Sequence, residues 1–284
     1  MATISARLYK VGMAQTQVAV VQLNSTPEVE ANLAAAERQI RRAAAAGAAL
    51  IVLPEAFAYL GPELGQRAIA EPLPAGGPIL ARCQGWARET KAELILGGFW
   101  EARQSDDRVY NASVHLGRDG AVKAVYRKIH LFDVELADGT TLRESDKVAP
   151  GEEIVTTETV FGTLGMSICY DVRFPELYRK LVDRGAIAIT VPAAFTLHTG
   201  KDHWHVLLQA RAIESQSYVL AAAQAGKCYG ARVSYGHALI ADPWGTVIAQ
   251  CGGEGEGFAL ATLDTDSITR IRAQLPSLRH RRLT

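Results

Sequence analysis

The stretch QVAVVQLNSTPEVEANLAAAERQIRRAAAAGAALIVLPEAF, Gln17 to Phe57, reads as one β-α-β unit. Val18 to Leu23 predicts a strand. Pro27-Glu28 then opens an alanine-rich helix running to about Ala46, because Pro suits the first helical turn and Gly47 sits where a C-terminal cap belongs. Ala48 to Leu53 is apolar at every position, the pattern of a strand buried on both faces beneath helices.

The same grammar continues outward. A helix over Pro78 to Lys91 precedes a strand at Glu93 to Phe99, and Asp119-Gly120 marks a hairpin turn between two alternating runs. Thr163 to Ile168, a helix from Pro175 to Asp183, and Ala186 to Val191 repeat the β-α-β pattern. An amphipathic helix from about Asp202 to Ser215 leads into a strand at Tyr218 to Ala223, and Asp242-Pro-Trp-Gly makes another hairpin. Alternating strands and helices with interspersed hairpins predict an α/β layered sandwich of mixed sheets covered by helices. No linker divides it, so residues 1–284 are expected to form a single domain, with 1–12 as an N-terminal extension. VLPEAF at 52–57 and TVPAAF at 190–195 follow matching apolar strands, a faint sign of internal pseudo-symmetry.

Composition narrows the function classes. The chain is 48% hydrophobic and 21% charged, and its 30 basic side chains equal its 30 acidic ones. That balance gives no pull toward nucleic acid or an anionic membrane. The one dense basic run, Arg279 to Arg282 with His280, reads as a solvated tail. No apolar run approaches the roughly 20 residues of a membrane helix, and no signal-peptide core follows the N-terminal Lys and Arg, so a cytoplasmic protein is expected. The cysteines at 83, 169, 228 and 251 show neither CxxC pairs nor dense spacing, which points to thiols in a reducing compartment and to no metal site. Asn24-Ser-Thr and Asn111-Ala-Ser match the glycosylation tripeptide by chance in this setting.

Of the four thiols, Cys169 stands at the end of a buried strand, in TLGMSICYDVRFPEL, just before the helix that Pro175 opens. Open α/β sheets place their chemistry at such carboxyl ends, and nearby amides and a helix N-terminus favour a reactive thiolate. A small buried apolar Cys is the alternative, and it is the reading for Cys83 and Cys251. A nucleophilic Cys needs a base, and none of the seven histidines is placed as its partner; His203 and His205, two apart on a helix, point to different faces. Glu55 leaves the end of a buried strand as Cys169 does, and a carboxyl held in a partly dry site has its pKa raised toward that of a neutral-pH base. Lys128, in VYRKIHLFD, is flanked by alternating apolar residues that send some side chains inward, where an ammonium stabilises an oxyanion. Each of these two has an ordinary surface alternative.

Together the three segments resemble the nitrilase superfamily, the carbon-nitrogen hydrolases with a Glu-Lys-Cys catalytic set. LIVLPEAF is similar to the family's Glu segment, YRKIHLFD to its Lys segment and GMSICYDVRFPEL to its Cys segment. The likeness continues through RES at 143–145, PAAFTLHTGKDHWHVLLQARAIESQSYVLAAAQ, SYGHALIADPWGTV and LPSLRHRR, and it is strongest to the Nit-type branch of ω-amidases and deaminated glutathione amidases. The resemblance implies an α-β-β-α sandwich, a homo-oligomer, and catalysis without metal or organic cofactor. It also implies a second Glu between Lys and Cys, for which Glu144 in LRES is the match and Glu135 the rival.

The implied reaction is hydrolysis of a small carboxylated amide to acid and ammonia through a thioester on Cys169. Lys128 and the backbone N–H of Tyr170 would hold the oxyanion. Arg173 and Thr199 match an Arg and a Thr that related ω-amidases use on the substrate, although Arg173 could instead pair with Asp171 or Glu176. Phe195, Tyr59 and Phe132 could wall the pocket or pack the core. A nitrilase, an N-carbamoyl amino acid amidohydrolase, a papain-like Cys-His hydrolase and a non-catalytic binding scaffold are the competing readings.

Overall fold

The computed structural model describes residues 15–135 and 141–283, so the expected N-terminal extension, residues 1–12, lies outside the described residues. From the N-terminus, β1 (Gln15–Leu23) is followed by α1 (Val29–Ala45), β2 (Leu50–Val52), α2 (Glu63–Ala68), α3 (Pro78–Thr90) and β3 (Glu93–Ala102). Hairpins then build β4 (Val109–Leu116) with β5 (Val122–Arg127), and β6 (Asp133–Glu135) with β7 (Thr141–Arg143). The second half comprises β8 (Thr156–Thr159), β9 (Gly162–Met166), α4 (Pro175–Asp183), β10 (Ala188–Thr190), α5 (Leu197–Ser215), β11 (Tyr218–Ala221), β12 (Ala223–Tyr229) and β13 (Arg232–Tyr235). The chain closes with β14 (Leu239–Ala241), β15 (Val247–Gln250), β16 (Gly257–Asp264) and α6 (Thr265–Gln274).

Two sheets carry the fold. The first runs β13-β12-β1-β2-β3-β4-β5, with β16 also pairing β1, and the second runs β15-β14-β11-β10-β9-β8. In each sheet the central strands run parallel, β12, β1, β2 and β3 in one and β9, β10 and β11 in the other, and the strands outside them pair antiparallel. The alternation of side chains along a strand sorts the core into layers. Val18, Val20, Leu50, Val52 and Ile95 of the first sheet share a buried cluster with Leu164, Met166, Ile189 and Leu220 of the second, and with Leu177, Leu181, Trp204 and Leu208 of α4 and α5. Ala19, Val21, Ile51, Leu53, Leu94 and Leu96 point the other way, onto Leu33, Ala36 and Ile40 of α1 and Leu80, Cys83 and Trp86 of α3. The result is the expected four-layer α-β-β-α sandwich.

Most predicted elements match within two residues, and α4 matches at both ends because Pro175 enters at the first helical position. The helix read from Asp202 begins five residues earlier, at Leu197: HTGKDH carries no apolar periodicity, so its first turn leaves no pattern to read. The C-terminal basic run is not a free tail, since Arg281 pairs with Asp183 of α4 at 2.6 Å. Asn111 is buried within β4, which rules it out as a glycan acceptor in the folded chain.

Three loops leave the carboxyl ends of the parallel strands and meet: residues 53–57 after β2, 167–173 after β9, and 191–196 after β10. The echo between VLPEAF and TVPAAF is thus realised as two loops from central strands of opposite sheets that touch. β3 makes room for them. Its register shifts between Leu96 and Phe99, and there a Cβ on Gly97 would lie 2.2 Å from Pro192 Cβ, while one on Gly98 would lie 2.5 Å from the Ala56 nitrogen. Gly98 also holds φ +63°, a conformation that glycine adopts without strain.

Candidate active site

Cys169 begins a short 3-10 turn, Cys169–Arg173, at φ +47°. A non-glycine residue in that left-handed region costs on the order of 1–2 kcal/mol, so the surroundings must fix it. They do so from both sides. The Cys169 N–H donates to Pro192 O at 2.9 Å, and the buried Asp171 carboxylate accepts from the Ile168 N–H at 2.9 Å. Asp171 also accepts from the Tyr126 hydroxyl at 2.7 Å and from the His130 N–H at 3.1 Å, and it pairs with His130 Nδ1 at 2.8 Å. The turn that presents the thiol is thereby pinned to the segment that carries Lys128. As an early N–H of this turn, the Tyr170 amide has no intrahelical acceptor.

Glu55 and Lys128 are both buried beside Cys169. Lys128 Nζ donates to Glu55 Oε1 at 3.1 Å and to Glu144 Oε1 and Oε2 at 3.0 and 2.9 Å. Glu55 Oε2 accepts from the Ala194 N–H at 2.8 Å, and its main-chain carbonyl accepts from Gln224 Nε2 at 3.0 Å. Glu144 also receives the Phe132 N–H at 2.7 Å. Asn111 Nδ2 bridges the two carboxylates, at 2.9 Å to Glu55 and 3.3 Å to Glu144. Glu135, the rival for the second Glu, is exposed on β6 and pairs with Arg143 at 3.3 Å.

These contacts set the protonation states. Burial pushes the Cys169 thiol well above its ordinary range and the nearby Glu55 charge adds to this, with Lys128 opposing, so the thiol rests neutral beside Glu55. Burial would also raise Glu55, but the Lys128 charge, with hydrogen bonds from Cys169, Ala194 and Asn111, outweighs it and holds Glu55 below the usual carboxylate value. That corrects the expectation of a raised pKa: the decisive partner is a cation that burial alone does not include. Burial acts to lower Lys128, yet the carboxylates of Glu144 and Glu55 hold it well above the usual ammonium value. The ground state is therefore a neutral thiol beside an ionised Glu55 and the Lys128 ammonium, with Glu144 hydrogen-bonded to that ammonium.

A pocket opens over this group, walled by Trp100, Phe132 and Phe195 and lined by Tyr170, Thr199, Tyr229 and Arg232. Tyr59 is not in its lining: its hydroxyl donates to Pro62 O at 2.9 Å, and the ring belongs to the buried cluster that includes the pocket wall Trp100. Arg173 pairs with neither Asp171 nor Glu176. Its guanidinium lies over the rings of Phe195 and Tyr170, at 5.2 and 5.8 Å, with Nη1 3.3 Å from His203 Nδ1, outside the pocket lining. His205 faces away toward Gln250, 3.1 Å distant, so the two histidines do take different faces. Reading the sequence missed Asn111, Asp171 and Arg232. Only Asp171, two residues past the nucleophile, had a positional signal.

A carbon-nitrogen hydrolase family profile matches residues 17–273. Deaminated glutathione amidase of Bos taurus is 46% identical over 93% of this chain and 81% of its own length. The protein of the same name from Synechocystis is 44% identical over 93% of this chain and 97% of its own. Among solved structures, Saccharomyces cerevisiae Nit3, a member of branch 10 of the nitrilase superfamily, superposes with a TM-score of 0.84 at 33% identity, covering 95% of this chain and 97% of that one. With the four-layer fold and the clustered Glu, Lys and Cys, these similarities show that the chain belongs to the carbon-nitrogen hydrolases of the nitrilase superfamily and is an amide-hydrolysing member of it.

Proposed function

We propose that the chain hydrolyses a small linear amide bearing a carboxylate, of the class of deaminated glutathione and other ω-amides of 2-oxo acids, through a thioester on Cys169. The observation that carries the mechanism is the buried Cys169 beside a Glu55 whose Oε1 is tied to Lys128 Nζ and whose Oε2 is tied to the Ala194 N–H. Glu55 takes the thiol proton as Sγ adds to the amide carbonyl. The oxyanion is held by Lys128 Nζ and the Tyr170 N–H. Lys128 spends all three donors on carboxylate oxygens, two on Glu144, so Glu144 can release one while keeping the ammonium aimed. Collapse of the adduct expels ammonia or an amine that takes the proton from Glu55. Glu55 then deprotonates water for attack on the thioester, which returns acid and free thiol.

No histidine lines the pocket among the described residues, and His130 is engaged with Asp171, which disfavours a papain-like Cys-His pair. The substrate class rests on the relatives named for deaminated glutathione and on cationic groups around the pocket, with Arg173 and Thr199 beside Phe195 as the expected substrate contacts. Ammonia or amine release is to be compared across deaminated glutathione, 2-oxoglutaramate, an N-carbamoyl amino acid, a nitrile and a neutral amide. A carboxylated ω-amide should lead the neutral amide by at least about tenfold in kcat/KM, the yield of one charged hydrogen bond. Faster turnover of the nitrile or the carbamoyl compound would overturn the proposal.

The same reading makes the protein a cytoplasmic homo-oligomer; no helix among the described residues is long and apolar enough to cross a membrane. In favour of self-association, Val206 and Ile213, two turns apart on α5, are exposed together with Trp244 of the adjoining turn. Light scattering after size exclusion should give a multiple of the 30.6 kDa chain, reduced by Ile213→Asp. A monomeric wild type would refute this.

A further inference from the structure

Arg232 starts β13 beside Tyr229, its register partner across the β12–β13 hairpin, and both side chains line the pocket over Cys169. One guanidinium nitrogen, Nη2, donates to Ala194 O at 3.3 Å. Its Nε is buried with no acceptor among the described residues, and no carboxylate among them lies within ion-pair distance. The acids nearest the reaction centre are already committed, Glu55 and Glu144 both to Lys128. Arg232 is half-buried as a whole, but a buried guanidinium N–H left without an acceptor is costly unless a partner arrives. The planar fork is suited to a carboxylate, which takes two parallel N–H donors.

We propose that Arg232 is the anchor inside the pocket for a carboxylate of the substrate, a specificity-determining residue distinct from Arg173, which lies outside the lining. The proposal rests on the carboxylated-amide reading above. A molecule of the deaminated glutathione class carries a carboxylate on each side of the scissile amide, so one cationic side chain does not serve both. The Ala194 carbonyl that Arg232 grips belongs to the residue whose N–H holds Glu55, so a carboxylate seated on Arg232 is set at a fixed distance from the base.

The test uses the full-length enzyme with Arg232→Met, which keeps much of the side-chain volume without charge, and Arg232→Lys. Three amides are assayed: 2-oxoglutaramate, with its carboxylate on the acyl side; an N-acylglycine, with its carboxylate on the leaving side; and a neutral amide of similar length. Arg232→Met should lower kcat/KM by about 10–100-fold, the range for a hydrogen bond to a charged group, on whichever carboxylated amide meets Arg232. The loss should fall in KM, with less than about twofold change on the neutral amide and partial recovery in Arg232→Lys. Equal losses on charged and neutral amides would overturn the proposal, because they would mean Arg232 supports the nucleophile or the fold. Unchanged kinetics on both carboxylated amides would overturn it too. Calorimetric binding of 2-oxoglutarate and acetylglycine to Cys169→Ala and to Cys169→Ala with Arg232→Met separates this proposal from the reading beneath it. A wild type that turns over only neutral amides sinks the substrate class, whereas a carboxylate bound equally with and without Arg232, or bound by neither protein, sinks the anchor.

Discussion

Cys169→Ala should leave the fold intact and remove turnover by a factor on the order of 10⁵ or more, the scale seen when a covalent nucleophile is deleted. The reason for an intact fold is that the turn is held by the Cys169 N–H, the Ile168 N–H and Asp171, none of which involves the thiol. The companion variant Glu55→Gln separates the proposed mechanism from a preformed thiolate. Burial and the Glu55 charge keep the resting thiol neutral, so nucleophilicity depends on Glu55 accepting the proton during attack. Alkylation of Cys169 by iodoacetamide should therefore slow in Glu55→Gln by at least about 10²-fold, the usual worth of general base catalysis, and no acyl adduct should build up with substrate. Intact-mass spectra and inactivation rates measure both. An alkylation rate unaffected by Glu55→Gln would show that the base lies elsewhere.

The parts of this site that the sequence discloses are those whose position follows from local pattern. Ala48–Leu53 is an uninterrupted apolar run and Thr163–Ile168 a largely apolar one that opens on Thr163 and admits Ser167, so the residues just beyond each are placed near a strand end by counting; Glu55 and Cys169 fall there. Lys128 is harder, because an alternating strand leaves both faces open, and its inward direction comes from its place just past β5, where its N–H bonds Asn111 O at 2.9 Å. Nothing local distinguishes Asn111 or Arg232. One sits mid-strand in what looks like a glycosylation tripeptide, the other on a hairpin whose partner strand runs next to β1, over two hundred positions away in the chain. Their roles exist only once the two sheets are stacked. The sign of the Glu55 shift was likewise beyond local reasoning, since it turns on a contact between residues separated by 73 positions.

That contact gives the second large expected effect. Lys128→Met removes the cation that, alone among the described residues, hydrogen-bonds both the buried Glu55 and the partly buried Glu144, and leaves two carboxylates bridged by Asn111 Nδ2. Breaking a buried pair by deleting one partner costs about 3–5 kcal/mol, which should appear as a large drop in Tm at neutral pH. The pH dependence should also change sign on the acid side. In the wild type the Glu55 pKa is depressed in the folded state, so its contribution to stability is fully present above the ordinary glutamate value and is lost as pH falls through the folded one. Without Lys128, burial and the neighbouring carboxylate raise Glu55 instead, so the unfolded chain ionises more readily than the folded one. Acidification from neutral pH toward the ordinary glutamate value should then stabilise Lys128→Met relative to the wild type, whose Glu55 contribution does not change over the same window. Activity should fall by at least about 10²–10³-fold, the cost of one lost oxyanion donor, and by more because the base is partly protonated. Thermal melts across that pH range decide the matter: parallel curves for the two proteins would mean that Lys128 is not what keeps Glu55 ionised.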